Sequence, residues 1–132
     1  MGDTVEHGIM QVLGEVYVAL QNGSRRLAAM GIRAALELVM IDKIGGDKGS
    51  IGSNVSAFIA AGFVPPHFES LFRDTMMEAG NAAMHRNYQP SKEHLDVLMD
   101  LTEWLVVSIY EHPVRAAKVT AAIPPRREGK RP

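Results

Sequence analysis

The stretch Ser91-Lys92-Glu93-His94-Leu95-Asp96-Val97-Leu98-Met99-Asp100-Leu101-Thr102-Glu103-Trp104-Leu105-Val106-Val107-Ser108-Ile109-Tyr110-Glu111 decides the fold. Leu95, Leu98, Met99, Thr102, Leu105, Val106 and Ile109 recur in steps of three and four, the period of an α-helix. Leu101, Trp104 and Val107 widen that apolar stripe. Ser91 is placed to cap the first turn, and Pro113 is expected to end the helix. A helix this apolar is either central in a bundle or part of an interface between subunits.

The same period repeats upstream. Between Glu6 and Leu20, the residues Ile9, Val12, Leu13, Val16, Tyr17 and Leu20 form an amphipathic helix ended by Gln21-Asn22-Gly23. Ser24 caps a second helix from Arg25 to Ile44, stopped by Gly45-Gly46. Its apolar set reads Leu27, Met30, Ala34, Leu38 and Ile41. Ala28, Ala29, Gly31 and Ala35 keep it thin, so that a neighbour can approach closely. Gly45 to Gly52 is a polar, Gly-rich loop whose spacing is not that of a phosphate-binding loop. A short helix from Asn54 to Ala61 follows, with Val55, Phe58 and Ile59 inward and Gly62 as its cap. Pro65-Pro66 opens a further helix that reaches Arg86. Phe68, Leu71, Phe72, Thr75, Met76, Ala79 and Ala83 share one of its faces, and Asn87-Tyr88-Gln89-Pro90 breaks it. No stretch alternates as a strand. The expected fold is all-α, an antiparallel helical bundle of four main helices plus one short helix over residues 1–112. A basic, Pro-containing tail over 113–132 is expected to be partly ordered, with Pro124-Pro125-Arg126-Arg127 extended.

A chain of 132 residues suits one domain. It has no cysteine, which excludes disulfides, zinc–cysteine sites and thiol catalysis. No apolar run approaches the roughly 20 residues that span a bilayer, and the first residues do not read as a signal peptide. The expectation is a cytoplasmic protein with no membrane partner. The net charge of −1 hides an asymmetry: up to His112 there are 8 Lys and Arg against 14 Asp and Glu, and from Pro113 onward 6 basic residues against Glu128 alone. Such a tail is either simply solvated or an arm for nucleic acid or an acidic partner.

Chemistry concentrates in Glu78-Ala79-Gly80-Asn81-Ala82-Ala83-Met84-His85-Arg86. Glu78, Asn81 and His85 fall on one flank of the apolar face by their i, i+3, i+7 spacing. His85 titrates near neutrality and is the candidate general acid or base, with Glu78 and Asn81 beside it. Its other reading is a half-buried histidine hydrogen-bonded for stability. Arg86 is the candidate phosphate or ligand holder. Arg33, one turn before Glu37, is expected either to pair with it or to point into the groove beside this helix and line the same site. Gly80 within the helix costs about 1 kcal/mol relative to alanine and suggests close packing or a bend. No Glu-x-x-His pair, no His-Glu-x-x-His and no nucleophile elbow occurs, so neither metal nor cofactor is expected.

Leu27-Ala28-Ala29-Met30-Gly31-Ile32-Arg33-Ala34-Ala35-Leu36-Glu37, with Glu78 to Arg86 about forty residues later, resembles the HEPN-like superfamily. The branch it resembles is a bacterial domain-of-unknown-function group associated with restriction and defence systems. Tyr88, Pro90 and Glu103-Trp104-Leu105 fit as well, and the resemblance runs from Glu6 to Pro125. It implies a helical bundle that dimerises. Many HEPN-like proteins are metal-independent RNA endonucleases in defence, toxin–antitoxin and restriction systems, and others are binding modules. Active members place an arginine a few residues before a histidine. His85 matches the histidine and Asn81 a polar residue before it, but the arginine positions hold Met77 and Glu78, and the nearest upstream arginine is Arg73. The resemblance therefore implies a homodimeric interaction module with a degenerate nuclease motif, binding a partner protein or an RNA or nucleotide-like ligand. The alternative is a ribonuclease in which His85 helps a ribose hydroxyl attack the adjacent phosphate while Arg86 or Arg33 holds that phosphate.

Overall fold

The computed structural model of the chain describes residues 2–126, which are all-α with no strand among them. Helices α1 (Gly2–Gln21) and α2 (Arg25–Ile44) form a hairpin. Gly45 ends α2 in a left-handed conformation, φ 82°, and donates its N–H to the Ile41 carbonyl. Helix α3 (Ile51–Ala60) starts before the apolar pattern does, because the Ser50 hydroxyl accepts the Ser53 N–H and caps it. Ala61 is its cap residue, and Gly62 follows with φ 88°.

The Gly-rich loop before α3 is held by side chains. Asn54 is buried, accepts the Lys48 N–H at 2.8 Å and donates to Asp47 at 3.1 Å. Asp47 also accepts the Gly49 N–H at 2.9 Å. That backbone bond, helped by Asn54, holds the Asp47 carboxyl below its usual range.

Residues 66–85 run as one helix of changing pitch. A 3-10 turn (Pro66–Phe68) leads into a single α turn, α4 (Glu69–Leu71), then a π-helical segment (Phe72–Met77) and α5 (Glu78–His85). The π segment inserts extra backbone and rotates the faces. Phe72, Met76, Met77, Gly80 and Ala83 are buried. Thr75, expected inward, is exposed toward a groove, and Ala79 packs against the core while its other side lines the same groove.

Helix α6 (Lys92–Val106) is capped by Ser91, which accepts the His94 N–H at 3.1 Å. It buries Leu95, Leu98, Met99, Thr102, Leu105 and Val106 as its periodicity predicts. It does not stop at Pro113. A second π segment (Val107–Glu111) carries it into α7 (His112–Ala122). Proline normally breaks a helix because its ring collides with the carbonyl one turn back. Here the His112 N–H reaches back to the Val107 carbonyl, five residues away, and this widened turn seats Pro113. The tail thus begins as a helix. Pro124 to Arg126 are irregular, and Arg127 lies outside the described residues.

Helix α2 is the hub, touching α1, α3, α5 and α6. Its buried face is Ala28, Ala29, Ile32, Ala35, Leu36, Val39 and Met40. The predicted inward set is corrected: Leu27 is 62% and Leu38 39% exposed. The reason is steric. The face with small residues lets neighbours close in, so close that a Cβ on Gly31 would lie 2.6 Å from Val16 Cγ2. Phe58 stacks on Phe63 at 5.2 Å and meets Phe72 at 5.5 Å, joining α3 to the π segment.

Two tyrosines tie the long helices together. Tyr110 donates to Asp42 at 2.6 Å, with Lys43 Nζ 4.5 Å from its ring. Burial, then Asp42, pushes its pKa well up. The Glu103 carboxylate near Tyr17, with some burial, raises its pKa to about 12. No helix among the described residues is long and apolar enough to cross a membrane.

Candidate functional site

The face of α5 opposite α2 does not close against α6. Between them lies an open groove of about 610 Å³. Its α5 wall rises from Asp74 and Thr75 through Glu78, Ala79 and Ala82 to Arg86; its other wall is His94, Val97 and Leu98. The side chains of Ala79 and Ala82 are too short to fill the gap.

A turn closes one end. The Arg86 N–H donates to Ala82 O at 2.9 Å and the Tyr88 N–H to the same carbonyl at 3.1 Å. Between them Asn87 adopts φ 53°, the left-handed region that asparagine tolerates better than most residues. This turn returns Tyr88 to the groove.

At the rim, Arg86 reaches back along the helix and pairs with Glu78. The Arg86 hydrogen bond, with a smaller share from Asn81, holds the Glu78 carboxyl below the usual carboxylate range. A carboxylate so stabilised is a poor proton carrier at neutrality. Glu78 and Arg86 are therefore brought together on the groove, whereas Asn81 is half-buried nearby and does not line it. His85 is exposed and does not line the groove.

Arg33 sits on the other flank of α5. It pairs with Glu37 at 3.0 Å and donates Nη1 to Met84 Sδ at 2.7 Å, with its side chain only 14% exposed. A Cβ on Gly80 would lie 2.4 Å from Arg33 Cβ and 3.2 Å from Ala29 O. The glycine is there because α2 passes that close, which answers the question its helix position raised. Arg33 thus lies beside α5 as expected, but the helix separates it from the groove. The expectation that it lines the same site is corrected.

Sequence reasoning missed Asp74, Thr75, Tyr88, His94 and Val97 as lining residues. Asp74, Glu78 and Ala82 share a one-turn spacing that was legible. The contribution of α6 was not, because it depends on how far two helices diverge. Among the described residues no group of three or more His, Cys, Asp or Glu could hold a metal ion. The groove offers an apolar floor with an acidic and basic rim, suited to holding an apolar side chain or helix with a charged fringe.

The family model of a domain of unknown function, DUF4145, matches residues 14–122, and the chain belongs to that family. No curated protein and no solved structure matches it.

Proposed function

We propose that this DUF4145 chain is a HEPN-like, homodimeric, cytoplasmic interaction module whose groove beside α5 holds a partner rather than a reacting phosphate. The observation that carries this reading is the commitment of both candidate guanidiniums. Arg86 is paired with Glu78 and Arg33 with Glu37, on opposite flanks of the helix. A phosphate approaching His85 would compete with Glu78 for Arg86, and Arg33 is held on the far flank by Glu37 and Met84. On the groove rim Asp74, which has no cation paired to it among the described residues, adds repulsion toward a nucleic-acid backbone. The defence or toxin–antitoxin setting rests on the HEPN-like resemblance.

Exposed His85 gives the ribonuclease reading its support, since a substrate could reach it. The test is incubation of the purified chain with single-stranded and structured RNA in chelator, beside His85→Ala. The module reading expects intact RNA in both. Cleavage by the wild-type chain that His85→Ala abolishes would establish the enzyme and overturn the module.

A further inference from the structure

We infer that α7 is a dimerisation arm, and that it seats in the α5–α6 groove of a second copy of this chain. The inference rests on the homodimer reading above and names the contact that makes it.

Among the described residues nothing buries the arm. No residue of α7 is buried, and its substantial contacts are with the π segment that precedes it. Val114, Val119 and Ile123 are each at least 60% exposed. Val119 and Ile123 lie one turn apart with Ala116 beside them; Arg115, one turn before Val119, borders this stripe, and Lys118 lies farther round the helix.

The groove fits it in size and charge. It presents Ala79, Ala82, Val97 and Leu98 to an apolar stripe, and Val97 is itself 54% exposed. Of the charges lining or flanking the groove, Glu78 is paired with Arg86 and Lys92 with Asp96, which leaves Asp74, with Glu93 and Asp100 nearby on α6, against Arg115 and Lys118 on an arm with no acidic residue.

The occupant must come from another molecule. Val97 and Val119 stand on one continuous helix, 22 residues and so about 33 Å apart along its axis. The arm cannot fold back onto its own groove without breaking that helix. Two copies side by side and antiparallel solve this at once, each arm lying along the other's groove about a twofold axis near Ser108.

The absence of cysteine gives a clean background for a cross-linking test. Val97→Cys is combined in turn with Val114→Cys, Val119→Cys and Ile123→Cys, all at exposed positions, and oxidised mildly at micromolar concentration. At least one pair is expected to give a covalent dimer in high yield, while each single cysteine gives at most a trace, since a disulfide needs Cα atoms within about 7 Å. A chain that light scattering shows to be dimeric, yet that none of the pairs cross-links, overturns the arm-in-groove contact and leaves the homodimer standing. A chain that is monomeric overturns both.

Discussion

Residues 92–122 form one long helix with two unlike halves. In α6, Leu95 is fully buried and Leu98, Met99, Leu105 and Val106 are nearly so. In α7, beyond the π segment, nothing is buried although Val114, Val119 and Ala116 are as apolar in kind. The same helical period therefore has two outcomes, and the difference lies in neighbours: α6 has α2 against it, and α7 has only the turn before it. An apolar face left bare by its own chain points to a surface used between molecules.

Truncation measures that contrast most strongly. Leu95→Ala should cost about 2–5 kcal/mol of unfolding free energy, the loss from a filled core. Val119→Ala should stay within about 0.5 kcal/mol for the dissociated chain, its effect appearing in association instead. Denaturant curves at low protein concentration read both, and equal losses would erase the distinction between the halves.

The flanks of α5 give a second version of the same contrast. Gly80→Ala should destabilise by about 1–3 kcal/mol through overpacking on Arg33 and the Ala29 carbonyl, although alanine is the better helix former by about 1 kcal/mol. Ala82→Leu, on the groove side, should change stability by less than about 0.5 kcal/mol while filling part of the space a partner would use. Thermal melts of the two variants separate the closed flank from the open one.

The tyrosine ties sharpen it from the stable side. Tyr110 and Tyr17 keep their protons in the folded chain to higher pH than the ordinary value of 10.0. Between that pH and their folded values the native state holds more protons than the unfolded one, so stability falls as pH rises. The contribution is intact below pH 10.0 and is lost above it, for Tyr17 through about 12. Urea midpoints from pH 9 to 11 should decline, and Tyr110→Phe should flatten the decline.

The helices were legible because hydrophobic period and caps act locally: Ser91 and Gly45 set boundaries that the structure keeps, and α2 starts at Arg25 as read although the Ser24 side chain makes no capping hydrogen bond. What was not legible depends on contacts. The buried face of α2 is chosen by the alanines that admit α1 and α5, not by Leu27 and Leu38. The two π segments leave no mark in an apolar pattern, yet one turns Thr75 and Ala79 into the groove and the other carries the helix through Pro113. The candidate site was half legible: Glu78 and Arg86 do meet on the groove, whereas Asn81, His85 and Arg33 fall outside its lining.

The most direct test of the module is its mass in solution by light scattering, followed by dilution from the micromolar range. Twice the 14.4 kDa of one chain is expected, falling toward one chain when Val119→Asp and Ile123→Asp are introduced together. A wild-type chain that stays at the mass of one copy throughout would contradict the account.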